Sequence, residues 1–153
     1  MKPLIVLIAS FLAVLVFLRL FGRWNTILAG NVSMAVMLVF TAIGHFIFPK
    51  GMLMMLPMAV PFKRIVVFGT AWLEVAAAIG LLIPATRSLT ALLLMLFFIS
   101  VLPANVNAAL KKVDFEKADH SGNDVSYLWI RIPLQVVFIL WVWYFGIIAG
   151  QSQ

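Results

Sequence analysis

The sequence predicts an all-α bundle of membrane-spanning helices, and three observations carry that expectation. Hydrophobic residues make up 65% of the chain and charged residues 10%, with a mean hydropathy of +1.15, which leaves too little polar surface to coat a globule in water. Five apolar stretches approach the roughly 20 residues that a helix needs to cross about 30 Å of hydrocarbon. The connecting segments are short, so the 153 residues make a single membrane domain (1–153), with no room for a separate soluble one.

The first helix is expected near 3–21. Lys2 ahead of an apolar run resembles a secretory signal, but a small-residue cleavage site is missing, and the segment reads as a retained helix closed by Arg19 and Arg23. The second helix is expected near 29–48. Between Pro49 and Arg64, three prolines and a glycine break the pattern, and four of the eight methionines, Met52, Met54, Met55 and Met58, fall within seven residues. That segment is not one continuous helix; it reads as an apolar stretch at the membrane interface or as a pliable lid over a lipophilic ligand. Helices three and four are expected near 64–83 and 87–109, joined by a tight turn at Pro84 to Arg87. The loop from Lys111 to Asp124 balances three Lys against four acids and is the one soluble-looking stretch. Helix five is expected near 126–148.

Basic residues set the orientation. Lys2, Lys50, Lys63, Arg64, Lys111, Lys112 and Lys117 fall on the amino-terminal side of a five-helix path, and Arg19, Arg23 and Arg87 on the other. Seven against three predicts a cytoplasmic amino terminus. The net charge of +6 is spread thinly between apolar runs, which speaks for topology and against nucleic-acid binding. Without cysteine, the chain has no thiol redox chemistry and no iron–sulfur ligands of its own.

Glu74 is the candidate site residue that stands out, being the one carboxylate inside a hydrophobic run. A carboxylate in a bilayer costs about 2.5–3.5 kcal/mol even on lenient scales, so it is usually partnered, protonated or both. At about 1.5 Å per residue, Glu74 lies about 15 Å into its helix, His45 one turn from the end of helix two, and Asn105 within about 10 Å of Lys111. Arg131 lies about one and a half turns into helix five, with Gln135 a turn deeper. All five therefore occupy the amino-terminal half of the membrane. Thr41 and His45, Thr70 and Glu74, and the stripe Tyr127, Arg131, Gln135 share helix faces. Lipid satisfies no hydrogen bonds, so these edges are expected to line one cavity, with Pro103 and Pro133 opening the helices at its depth.

Structural readings stand beside that one. Glu74 and Arg131 would serve equally as an ion pair that fixes helix register, His45 as a bond to a loop carbonyl, Asn105 and Gln135 as interhelical glue, and Arg131 as a snorkelling surface cation. His120 reads as a solvated loop residue. Asn31-Val32-Ser33 matches a glycosylation sequon at a helix start. One histidine and one carboxylate are too few for a metal site, so no metal is expected. The functional reading is proton exchange by Glu74 and His45 with a small lipophilic ligand such as a quinone, oriented by Asn105, Arg131 and Gln135.

Gly44-His45-Phe46 with Pro49 and Met55-Leu56-Pro57, then Glu74 ahead of Gly80-Leu81-Leu82-Ile83-Pro84 and Thr86-Arg87, then Pro103-Ala104-Asn105, then Arg131-Ile132-Pro133-Leu134-Gln135, together resemble the DoxX family of small membrane proteins over about residues 30–148. The resemblance implies a four-helix core to which the first helix is an addition, and a multi-pass protein of the bacterial inner membrane. It also implies a redox-associated accessory subunit linked to quinones, or, by a distant branch, an assembly factor similar to chaperones of nicotinic receptors. His45, Glu74, Asn105 and Arg131 match the family pattern. The absence of cysteine departs from relatives that assist disulfide formation. A membrane-protein assembly factor holding partner helices and a small proton-coupled transporter, for which a second copy of the chain would compensate the odd helix number, remain the alternative readings.

Overall fold

The computed structural model describes residues 2–22, 24–122, 126 and 128–149. Arg23, Asp124 and Tyr127, used above for topology, loop charge and the helix-five stripe, lie outside the described residues. Among the described residues, six α-helices follow in order: α1 (Lys2–Leu20), α2 (Thr26–Ile47), α3 (Pro49–Met55), α4 (Lys63–Leu82), α5 (Pro84–Leu110) and α6 (Leu128–Val142), the last running into a π-helix at Trp143–Ile148. Five of these paths are long and apolar enough to cross a membrane, counting α6 with its π-helical extension. The protein is a multi-pass membrane bundle.

Local chemistry explains where the boundaries differ from the expected ones. The Asn25 side chain accepts from the N–H of Leu28 at 2.8 Å, an N-cap that starts α2 three residues before 29. Proline fits the first turn of a helix, where its missing N–H is no loss; Pro84 accordingly opens α5, and Arg87 belongs to the helix rather than to a turn. Pro49 opens α3 in the same way, and the methionine-rich segment makes a seven-residue helix before the chain leaves helical geometry at Leu56. Phe62, at a φ of 50°, resets the direction for α4.

Helix α2 is the hub, packing against α1 on one flank and α4 on the other, while α5 packs against α4 and α6. The core at its centre gathers Leu7, Met34, Met37, Leu38, Leu81, Leu94, Phe98 and Phe138. Large apolar side chains also cover the outside, Trp129 being 85% exposed, as a bundle facing lipid requires. Helix α1 buries Leu7 alone among its residues and sits at the edge of the bundle, with Phe11 stacked edge-on against Trp141 at 5.0 Å. At Gly30 the absent side chain is essential, because a Cβ there would meet the Phe145 ring at 2.3 Å.

Candidate functional site

Antiparallel alternation brings the start of α1, the end of α2, α3, the start of α4, the end of α5 and the loop after it to one end of the bundle. A cavity of about 650 Å³ runs inward from there, lined by His45, Glu74, Asn105 and Arg131 together with Thr41 and Thr70. Its walls are mostly apolar, with Phe40, Ile43, Met52, Met55, Phe97 and Val101 among them. Four of the five expected site residues thus face one space.

At its polar end, His45 Nδ1 donates to the Val67 carbonyl at 3.0 Å, which makes Nδ1 the protonated ring nitrogen. The partner is a carbonyl of helix α4, not of a loop. Thr70 donates to the same carbonyl at 2.9 Å and lies 3.4 Å from Nδ1, so the imidazole is held from one side. Its free edge points at the carboxyl: Nε2 is 3.7 Å from Glu74 Oε2. Glu74 is 7% exposed, and Oε2 is buried without a hydrogen-bond partner. The Thr41 hydroxyl lies beside the carboxyl, although it donates to the Met37 and Leu38 carbonyls of its own helix.

The expected register pair of Glu74 with Arg131 is therefore replaced. Among the described residues, the basic side chain within 4 Å of Glu74 is His45; Arg131 lines the same cavity from α6. With Nδ1–H committed to Val67, one proton can sit on Glu74 and be offered to Nε2, or sit on Nε2 and be offered to Glu74. At 3.7 Å neither hydrogen bond is fully closed, and a ligand oxygen has an acceptor and a donor to bridge.

Gln135 does different work. It donates from Nε2 to the Phe98 carbonyl and accepts from Asn105 Nδ2 at 3.2 Å, joining α6 to α5. The bond falls beside Ile99, whose carbonyl loses its helical donor to Pro103. Gln135 lines a neighbouring cavity of about 400 Å³ that shares Asn105, Arg131, Lys2 and Glu116 with the larger one. The interhelical-glue reading holds for this amide. Asn107 also ties elements together, donating to the Met55 carbonyl at 2.7 Å.

The rim is made by groups that sequence reasoning left out. Lys2 and Glu116 meet at 2.5 Å across 114 positions of sequence, and both line the two cavities. Phe115 packs beside them against Phe48. Gly51 lets the loop seat, since a Cβ there would lie 1.9 Å from the Phe115 carbonyl oxygen. Nothing local in the sequence signals a contact of such separation. Within the loop, Ser121 donates to the Asp119 carboxylate from its hydroxyl at 2.6 Å and its N–H at 2.9 Å, which holds Asp119 below the usual carboxylate range. His120 is exposed, bonded to the Lys111 carbonyl at 2.7 Å, and does not join His45. Among the described residues, no group of three or more His, Asp or Glu side chains could hold a metal ion.

Two polar groups at the opposite end are buried, which the sequence reading did not anticipate. Asn31 is inside α2 and donates to the Ile27 and Phe145 carbonyls at 2.9 and 3.0 Å, so the sequon asparagine fastens α2 to the carboxy-terminal helix. Arg87, assigned above to a tight turn, is buried and donates from Nε to the Leu81 carbonyl at 3.1 Å, a cation at the end of α4 where the helix dipole favours one.

Comparison with known families gives one match. Residues 34–146 fit the profile of a domain of unknown function, DUF8561. The chain belongs to the DUF8561 family. The DUF8561 match begins inside α2 and ends in the π-helix, so it contains His45, Glu74, Asn105 and Arg131 and leaves α1, with the rim residue Lys2, before it. No curated protein and no solved structure matched.

Proposed function

We propose that this DUF8561 protein is a DoxX-like accessory protein of membrane redox chemistry, binding a quinone or a comparable small lipophilic molecule with its polar head at His45 and Glu74. The observation that carries the reading is the Glu74 Oε2 atom, buried, without a hydrogen-bond partner and 3.7 Å from His45 Nε2 at the polar end of an apolar-walled cavity. A buried polar atom left open is costly to the fold, and a bound oxygen would close it. Glu74 and His45 exchange protons with that oxygen, while Asn105 and Arg131 orient the head from the side. The chain has no electron carrier of its own among its residue types, so electrons come with the ligand or from a partner protein. The same reading places the protein in a bacterial inner membrane with Lys2 and the cavity rim on the cytoplasmic side, following the seven basic residues gathered there.

Native mass spectrometry with lipid extraction, on gently solubilised wild type beside Glu74→Gln, tests this reading. A stoichiometric lipophile present in the wild type and lost in the variant supports it and names the ligand class. A bare chain in both, or a protein partner retained by both, sinks it in favour of an assembly role.

A further inference from the structure

A second groove lies outside the bundle, separate from the His45–Glu74 cavity, where α3 turns into the lipid-facing side of α4. It holds about 520 Å³ and is lined by Pro49, Leu53, Ile65, Phe68, Gly69 and Trp72, with Lys50 and Arg64 at the same site. Its walls are greasy and open: Ile65 is 70% and Trp72 65% exposed. Phe68 is braced from behind by Phe46, with ring centroids 5.7 Å apart, and Phe46 also meets Trp72 at 6.2 Å. Gly69 leaves the middle of the groove empty, since nothing lies within 4 Å of where its Cβ would be.

The charges sit at one end of this slot. Arg64 belongs to the first turn of α4 and Trp72 lies eight residues further along, about 12 Å deeper at the helical rise. Both Lys50 and Arg64 are exposed, and among the described residues neither has an ion pair or a side-chain hydrogen bond. The other lysine at this junction, Lys63, is turned to the Leu56 carbonyl at 3.2 Å. Two cations at head-group level above an aromatic-backed apolar slot match a ligand with a negative head and a hydrocarbon tail lying along the helix. A zwitterionic lipid would fill the slot equally well but gain less from the two charges.

We infer that the α3–α4 groove is a binding site for an anionic diacyl phospholipid, its phosphate held between Lys50 and Arg64 and one acyl chain laid over Gly69 against Phe68 and Trp72. The inference is independent of the ligand assigned to the inner cavity, because the two sites share Val67 alone among their lining residues.

The test offers the detergent-solubilised protein an equimolar mixture of phosphatidylglycerol and phosphatidylcholine with matched chains, and reads retained lipid by native mass spectrometry. One phosphatidylglycerol is expected to be held in preference. Removing both charges with Lys50→Gln and Arg64→Gln lowers its retention roughly tenfold or more. Gly69→Leu keeps both cations but fills the slot, and lowers retention comparably; a melting curve on each variant confirms that it is folded. Removing the same charge elsewhere at this end, with Lys111→Gln and Lys112→Gln, leaves retention as in the wild type. Equal retention of the two lipids, full retention by Gly69→Leu, or an equal loss in the Lys111 and Lys112 control overturns the inference. So does displacement of the lipid by glycerol phosphate, which would make this a site for free phosphate.

Discussion

The two ends of the bundle handle buried polarity differently. Around Arg87 and Asn31, each buried side chain closes on a backbone carbonyl of a neighbouring element, Leu81 for the arginine and Phe145 for the asparagine. At the end carrying Lys2, the imidazole of His45 is fixed on one edge and open on the other, and Glu74 keeps an oxygen with no hydrogen-bond partner. Polar groups that close on the fold's own backbone are explained by the fold. The Glu74 oxygen is not, which is why the second region and not the first reads as a binding site. Gln135 shows that depth does not decide the matter, because it shares that end and is nevertheless spent on Phe98 and Asn105.

Substitutions at the two ends should therefore separate binding from stability. The largest effect expected is on ligand: Glu74→Gln removes the retained lipophile while the melting temperature in detergent stays level, since no hydrogen bond to Oε2 is lost. A fall in stability with ligand retained would erase the distinction between the ends. At the other end, Arg87→Met is expected to cost about 1.5–3 kcal/mol in reversible unfolding, the range for a hydrogen bond to a charged group, and to leave ligand retention unchanged.

Smaller effects sharpen the contrast. Asn31→Leu breaks the link from α2 to the Phe145 carbonyl and should cost roughly 1 kcal/mol, the usual scale of interhelical hydrogen bonds in membranes; a unilamellar vesicle unfolding assay would read it. Gln135→Leu should cost about as much with ligand retention reduced only modestly, and complete loss of ligand there would return Gln135 to the site. The smallest effect is local to the loop. Asp119 has its proton affinity depressed by Ser121, so its contribution is present above the unfolded carboxylate pKa, near 3.9, and fades as pH falls through the lower folded value. Amide exchange at Ser121 should quicken under acid in the wild type and be quick at all pH values in Asp119→Asn; a pH-independent wild type would contradict the assignment.

Much of this architecture was legible beforehand for a simple reason. Membrane helices need long apolar runs, and the rise per residue converts position along the chain into depth. His45, Glu74, Asn105 and Arg131 could be assigned to one end on that arithmetic, and they do line one cavity. The arithmetic is silent about rotation around each helix axis and about which helices are neighbours. Pairing Glu74 with Arg131 was reasonable from charge alone, yet the packing of α2 against α4 brings His45 to the carboxyl instead. The rim formed by Lys2 and Glu116 depends on the edge position of α1 and on Gly51 admitting the loop.

The sequence by itself determined the solvent, the five spans, the polar residues and their depth, because hydropathy and helical rise are local properties of the chain. Tertiary structure alone decided that Glu74 faces His45, that Gln135, Asn31 and Arg87 close on backbone carbonyls, and that Lys50 and Arg64 share a groove. Those outcomes depend on the azimuth and neighbours of packed helices, which are set by the fit of whole side-chain surfaces against one another.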